Sequence, residues 1–267
     1  MNMLKNINPN PRLTQHLVKN KLITLHVVDI GARGGFASYW GYYGDCLRIV
    51  GFEPDKQDAK SNNCIPRALS GDGKPRVFYI IRYPASSGFY PPNIQFTNRL
   101  QNRDYLNIVG TAEINTVTLD SLTLKLDFIK LDTEGSELEI LEGGKETLKN
   151  ILGISIEVAF RELFQGQPLF SEVDSFLRKQ GFTLYDIETL RLARQMPNQE
   201  GMSDNQTGQT IFGQALYFRD IYGELDRYDD ESILKLASLF ELFNLTDCAF
   251  EMLNNPRTEK YLELVRG

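Results

Sequence analysis

Two histidines, three cysteines and no long apolar run are what this chain of 267 residues has least of, and each shortage excludes something. With only His16 and His26 available, a catalytic apparatus built on a histidine base has little to draw on, and His26 opens an apolar segment where a structural role is expected. Cys46, Cys64 and Cys248 are an odd, scattered set without metal-ligand spacing, which argues against a disulfide framework and for a reducing compartment. No stretch approaches the roughly 20 apolar residues of a membrane helix. The opening Met-Asn-Met-Leu-Lys-Asn-Ile-Asn-Pro-Asn-Pro has no signal-peptide core, so a soluble, cytoplasmic protein is expected. Basic residues are also in deficit, 29 against 35 acidic, for a formal charge of −6. A field of that sign does not favour phosphate backbones, so neither nucleic acid nor membrane is expected as a general partner.

What is present is the composition of a packed domain, 42% hydrophobic and 24% charged. Residues 1–20 read as a polar lead-in with a turn or two of helix. From there to 219, short apolar strands alternate with amphipathic segments, the pattern of a parallel α/β sheet. Strands are expected at 25–30, 47–52, 65–69, 76–81, 115–119, 127–131 and 154–158, with helices at 136–150 and 170–179. Residues 99–110 are ambiguous between helix and loop. Strands near 183–187 and 214–218, separated by a polar, mobile stretch at 195–210, would form an antiparallel closing hairpin. Residues 220–267 carry helical periodicity alone and read as a helical hairpin packed on the main domain.

The most informative stretch is Val-Val-Asp-Ile-Gly-Ala-Arg-Gly-Gly, residues 27–35. An apolar strand ends at Asp29 and breaks into Gly31, Gly34 and Gly35 around Arg33, the strand end at which open α/β sheets bind cofactors. A dinucleotide fingerprint would need glycine at the first, third and sixth positions. Counted from Gly31 those positions hold Gly31, Arg33 and Phe36, so the pattern fails, and a P-loop is absent too. S-adenosylmethionine, which has no phosphate but carries an ammonium and a sulfonium, suits an acidic strand end with a glycine loop. Glu53 ends the next strand and can accept both ribose hydroxyl protons. The bland alternative is a tight turn with Asp29 and Glu53 as helix caps. The conjunction of the two features at two strand ends favours the cofactor.

Phe-Ile-Lys-Leu-Asp-Thr-Glu-Gly-Ser-Glu, residues 128–137, repeats this grammar. A buried strand delivers Asp132 beside the topological switch point, where a carboxylate can take a proton from an attacking hydroxyl. Glu134 follows, and Glu157 ends the next strand. Glu137 and Glu139 are better read as charges complementing a helix start. Asp132, Glu134 and Glu157 could instead hold Mg2+ through oxygen ligands, although no spacing rule supports a metal.

Together, Val-Val-Asp-Ile-Gly-Ala, Gly-Phe-Glu-Pro-Asp (51–55), Ser-Ser-Gly-Phe-Tyr-Pro-Pro-Asn (86–93), Thr-Leu-Asp (118–120) and Ile-Lys-Leu-Asp-Thr-Glu-Gly-Ser-Glu-Leu-Glu-Ile-Leu-Glu-Gly (129–143) resemble the FkbM-type methyltransferases over about residues 25–219. The resemblance implies a class I, Rossmann-like, doubly wound fold, S-adenosylmethionine as donor, and O-methylation of a sugar or natural-product hydroxyl. It implies cofactor roles for Asp29, Gly31 and Glu53, and places Asp132 and Glu134 in the family's second motif. Arg33 departs from the family pattern; its guanidinium would meet the cofactor carboxylate or stand in solvent. The loop 83–98 is expected to wall the acceptor, with Tyr83, Phe89, Tyr90 and Phe96 offering stacking faces. The rivals are a non-catalytic module recruiting partners in glycan assembly, an NAD-linked oxidoreductase disfavoured by the failed glycine pattern, and a nucleic-acid methyltransferase disfavoured by charge.

Overall fold

The computed structural model describes residues 6–195 and 208–266. Its strands are β1 (Leu25–Ile30), β2 (Leu47–Phe52), β3 (Ala68–Leu69), β4 (Arg76–Ile81), β5 (Ile108–Ile114), β6 (Thr116–Val117), β7 (Phe128–Leu131), β8 (Gly153–Ala159), β9 (Phe182–Leu192) and β10 (Gln209–Arg219). Six of them form one sheet in the order β2-β1-β7-β8-β10-β9. The strands β2, β1, β7 and β8 run parallel, and β10 is antiparallel to both β8 and β9, so it alone opposes the other five. The mostly parallel sheet and the closing hairpin are therefore as expected, and most of the intervening polar stretch, 196–207, lies outside the described residues.

Helices cover both faces. α1 (Arg12–Lys19), α7 (Asp230–Leu242), α8 (Thr246–Leu253) and α9 (Leu262–Val265) pack on one, with Leu13, Leu17, Trp40, Phe128, Phe218, Phe240 and Phe243 in a common core. α4 (Glu137–Glu142), α5 (Lys145–Leu148) and α6 (Phe170–Lys179) cover the other, where Val28, Ile30, Ile129, Leu131, Ile154 and Ile156 are buried. α2 (Lys56–Ser61) and α3 (Ile94–Thr97) flank the carboxyl edge. The alternation of side chains along a strand explains the division: Phe128 and Lys130 face the first layer, Ile129 and Leu131 the second.

The first and last segments of the chain share one core. The N-cap position of α1 is Pro11, which makes no side-chain cap. The buried Glu241 of α7 supplies it instead, accepting from the Leu13 and Thr14 backbone N–H groups at 2.8 Å each and from Thr14 Oγ1 at 2.9 Å. At the amino ends of the strands Asp127 accepts from the His26 backbone N–H at 2.8 Å and lies 3.1 Å from both His26 Nδ1 and Lys235 Nζ. This buried network stands at the opposite edge from the cavity described below, and it gives His26 a structural role.

Three expectations are corrected. The third strand shrinks to Ala68–Leu69 and pairs with β6 rather than joining the main sheet; Pro66 lacks the N–H that would continue the ladder begun at Ile65. The single helix at 136–150 is two, α4 and α5, divided where Gly143 meets Gly71: a Cβ there would lie 2.6 Å from the Gly71 carbonyl oxygen. Residues 99–110 contain a short 3-10 turn, Arg103–Leu106, and the start of β5, which pairs antiparallel with β4 in a separate two-stranded sheet. Among the described residues no helix is long and apolar enough to cross a membrane.

Candidate active site

At the carboxyl ends of β1, β2 and β7 a cavity of about 450 Å³ opens, walled by Asp29, Gly31, Arg33, Gly34, Gly35 and Glu53 on one side and by Lys130, Asp132, Thr133 and Glu134 on the other. Asp29, Gly31, Arg33, Gly34, Gly35, Glu53, Asp132 and Glu134, all singled out in the sequence, border this one space, whereas Glu157 lines an adjoining recess together with Glu134.

The first loop is stitched tightly to its neighbours. The N–H groups of Gly31 and Ala32 both donate to the Phe52 carbonyl at the end of β2, at 3.0 Å. Gly31 has φ +85°, and a Cβ there would lie 1.9 Å from the Asp132 carbonyl oxygen. Its glycine is thus required by the adjoining backbone. Gly34 is different: φ is +79° and nothing lies within 4 Å of where its Cβ would be. Gly34 is the open point at which a ligand can approach backbone.

Asp29 and Lys130 are direct neighbours in the β1–β7 register. Lys130 Nζ lies 3.1 Å from Asp29 Oδ1 and 3.4 Å from Asp132 Oδ2, and donates to the Gly31 carbonyl at 3.4 Å. The Asp29 contact is an ion pair off the hydrogen-bonding direction, so Oδ1 is buried without a hydrogen bond. Burial raises the Asp29 pKa, and the ammonium opposes the rise. Burial alone would discharge Lys130, but Asp132 and Asp29 outweigh it and hold its pKa above the ordinary lysine value. Lys130 is the residue the sequence reading missed. The available signal was a lone cation inside an otherwise apolar buried strand, one position out of phase with Ile129 and Leu131.

Glu53, 5% exposed, accepts from the Asp55 N–H through Oε1 at 2.8 Å. Burial raises its pKa, while that N–H and Arg33 pull it back. Arg33 stands neither free in solvent nor committed to a ligand: it pairs with Asp55 at 2.8 Å and lies 3.9 Å from Asp58. Asp55 also caps α2, accepting from Gln57 N and Asp58 N. The role expected of Asp29, serving a ligand's cationic end, meets a cation already in place.

On the opposite wall the turn after β7 is held by Glu137. Its Oε1 accepts from the Thr133 N–H at 2.6 Å and Thr133 Oγ1 at 2.9 Å, and its Oε2 from the Gly135 N–H at 3.0 Å. That is the structural reading of Glu137, and Glu139, paired with Arg76 at 3.0 Å, is structural as well. Asp132, Glu134 and Glu157 each present a carboxylate oxygen within 4.8 Å of the other two. Among the described residues the side chains of Glu134 and Glu157 make no hydrogen bond and no ion pair. Burial, and then the neighbouring carboxylates, push the pKa of Glu134 and of Glu157 well above the ordinary glutamate value. The trio can hold protons, transfer them, or supply oxygen ligands to a cation.

Of the four loop aromatics expected to wall an acceptor, only Phe89 borders the cavity, edge-on to Phe78. Tyr83 is half exposed and stacks on Tyr105 at 6.3 Å, while Phe96 is buried in a separate core cluster against which Tyr90 packs.

A parallel sheet with one reversed strand, a glycine turn after β1 and acidic residues directly after β2 and β7, the first and third strands of that sheet, define a class I methyltransferase fold. The Methyltransferase FkbM domain model matches residues 29–184, more than half the sequence. The chain belongs to the FkbM methyltransferase family. Solved structures similar to it include the following three. A magnesium protoporphyrin IX methyltransferase from Synechocystis PCC 6803, with bound SAM, is 11% identical over 79% of this chain and 80% of its own, at TM-score 0.36. A human methyltransferase 10 domain containing protein is 15% identical over 78% and 80%, at 0.32. A SAM dependent methyltransferase from Aquifex aeolicus is 13% identical over 81% and 96%, at 0.30. The family assignment rests on the matched residues, not on these likenesses. No protein of curated function matches the chain.

Proposed function

We propose that the protein is an S-adenosylmethionine-dependent O-methyltransferase acting on a hydroxyl of a sugar, glycan or related natural-product acceptor. One observation carries the reading: a single cavity is bordered by Gly34 and Glu53 from one side and by Asp132 and Glu134 from the other. The first pair suits a nucleoside-bearing donor. Gly34 leaves the backbone approachable, and among the described residues no donor reaches Glu53 Oε2, which leaves it to receive ribose hydroxyls. The bound donor supplies an electrophilic methyl group.

The chain's own residues then do three things. Asp29 and Lys130 fix the loop and the end of β7 relative to each other. Lys130 holds one oxygen of Asp132, so Asp132 orients the acceptor hydroxyl, and Glu134 takes its proton once ionised. Carboxylates that border the cavity support a general-base role, and the upward shift of Glu134 supports it further, since a base works best with a pKa nearer neutrality. Positioning supplies the rest of the rate, because methyl transfer asks little more of the protein.

The test is calorimetry with S-adenosylhomocysteine, followed by methyl-transfer assays over a panel of sugars and glycans. Binding that Glu53→Ala weakens and Asp132→Asn leaves intact, with Asp132→Asn slowing turnover, is the expected result. Absence of binding at millimolar cofactor would favour the non-catalytic, partner-recruiting module. Full activity in Asp132→Asn would remove its role. Magnesium is the second reading, because three carboxylate oxygens lie within 4.8 Å of one another. A magnesium titration without heat, and activity indifferent to chelator, would discard it.

A further inference from the structure

Beyond the end of β8, three guanidinium groups converge on one aromatic ring. Phe96 is 2% exposed. The Cζ atoms of Arg194, Arg161 and Arg99 lie 4.5, 5.0 and 6.0 Å from its ring centroid. They come from three separate segments: the residues after α3, the turn after β8 and the residues after β9. A guanidinium over an aromatic face is attracted by the ring quadrupole, but one ring does not neutralise three charges.

Nothing else among the described residues neutralises them either. No carboxylate lies within 4 Å of any of the three, and the side chains of Arg99 and Arg161 make no hydrogen bond. Arg194 Nη2 donates to Gln209 Oε1, while Arg194 Nη1 is buried without a partner. Burial lowers the Arg194 pKa, and the other charges that act on it, Arg99 and Arg161, lower it further. By contrast, Arg33 pairs with Asp55, Arg76 with Glu139 and Arg178 with Asp174. Gathering three like charges around a buried orphaned donor costs stability, and an oxyanion would remove that cost by accepting the forked N–H groups.

The cluster packs beside the recess that Glu134 shares with Glu157. Arg161 follows Glu157 by four residues, at most roughly 14 Å of chain. Leu163 and Phe164 pack in one cluster with Phe96 and also line the recess shared by Glu134 and Glu157.

We propose that Arg99, Arg161 and Arg194 form an anion subsite that holds a phosphoryl group of the methyl acceptor, so that the acceptor is a phosphorylated sugar or sugar nucleotide. The inference rests on the methyltransferase reading above and names its substrate class. A phosphoryl group offers three oxygens to three planar donors, whereas a carboxylate offers two.

The experiment uses the full chain and three probes by calorimetry: inorganic pyrophosphate, glucuronate and S-adenosylhomocysteine. Because Arg99 and Arg161 are exposed, Arg99→Gln and Arg161→Gln should fold normally. Pyrophosphate is expected to bind the wild type more tightly than glucuronate and to weaken about tenfold in each variant, the lower range for a hydrogen bond to a charged group. S-adenosylhomocysteine affinity should be the same in all three proteins. Equal pyrophosphate affinity in wild type and variants, or none detected at about 10 mM, a concentration that would still reveal binding far weaker than a metabolite site, overturns the subsite. Tighter glucuronate than pyrophosphate binding overturns the phosphoryl assignment. Loss of S-adenosylhomocysteine binding in the wild type would instead strike the methyltransferase reading, independently of the pyrophosphate result.

Discussion

On the wall of the cavity built by β1 and β2, each charge has an answer: Asp29 has Lys130, Arg33 has Asp55, and Glu53 has the Asp55 N–H. On the wall built after β7 and β8, Glu134 and Glu157 have each other and Asp132. Burial raises carboxylate pKa values on both sides. On the first wall a cation or backbone donor opposes the rise, and on the second another carboxylate reinforces it. Under the function proposed, the difference separates two tasks. A site that must present fixed charge to a ligand keeps its groups ionised and tethered, and a site that must move a proton keeps one near the point of exchange.

Breaking the second wall should have the largest effect. Glu134→Gln is expected to lower turnover by about 100-fold or more, the range for loss of a general base, with S-adenosylhomocysteine affinity unchanged. A variant with wild-type turnover would move the base to Glu157 or Asp132. Breaking the tie between the two walls comes next. Lys130→Met leaves Asp29 and Asp132 facing each other without a cation and should cost about 3 kcal/mol in urea unfolding, the lower end for opening a buried pair. Glu53→Ala should weaken S-adenosylhomocysteine about tenfold while leaving the unfolding midpoint within error, as expected for loss of hydrogen bonds to a charged group.

The same comparison sets the pH dependence of stability. For Glu134 the folded-state pKa lies above the unfolded one, so the folded protein binds more protons and stability falls as pH rises. No penalty exists well below about pH 4.3, where both states are protonated. It grows as the unfolded chain ionises and levels off once pH passes the raised folded-state value. Glu134→Gln should flatten that decline in the urea midpoint measured across the acid range, and an unchanged slope would count against the raised pKa. The turnover of the wild type should rise over the same interval, as Glu134 loses its proton. Smallest of all, Arg33→Gln breaks a partly exposed pair and should shift stability by under about 1 kcal/mol.

Legibility in the sequence followed the kind of interaction. The strands β1, β2 and β4 stand where their apolar runs end, and α6 runs from Phe170 to Lys179 as periodicity and Gly181 indicate. Such elements are set by contacts local to the segment or by a face buried against any apolar layer. The short strand β3, the break between α4 and α5, and β5 were not legible, because each depends on a partner distant in sequence: Thr116–Val117, Gly71 and Arg76–Ile81. The site divides in the same way. Asp29, Glu53, Asp132 and Glu134 announce themselves by standing at strand ends. Lys130 does not, because its importance lies in the register that sets it beside Asp29.

By itself the sequence determined the α/β class, the family and the strand ends at which its acidic residues gather, because hydrophobic period and glycine placement act within short segments. Only the tertiary structure decided which charges are paired. It set Lys130 between Asp29 and Asp132, turned Arg33 toward Asp55, gathered Glu134 and Glu157 beside Asp132, and drew three arginines from remote segments around Phe96. The reason is physical: Coulomb and desolvation energies depend on distance and burial in three dimensions, and neither is written in the spacing of residues along a chain.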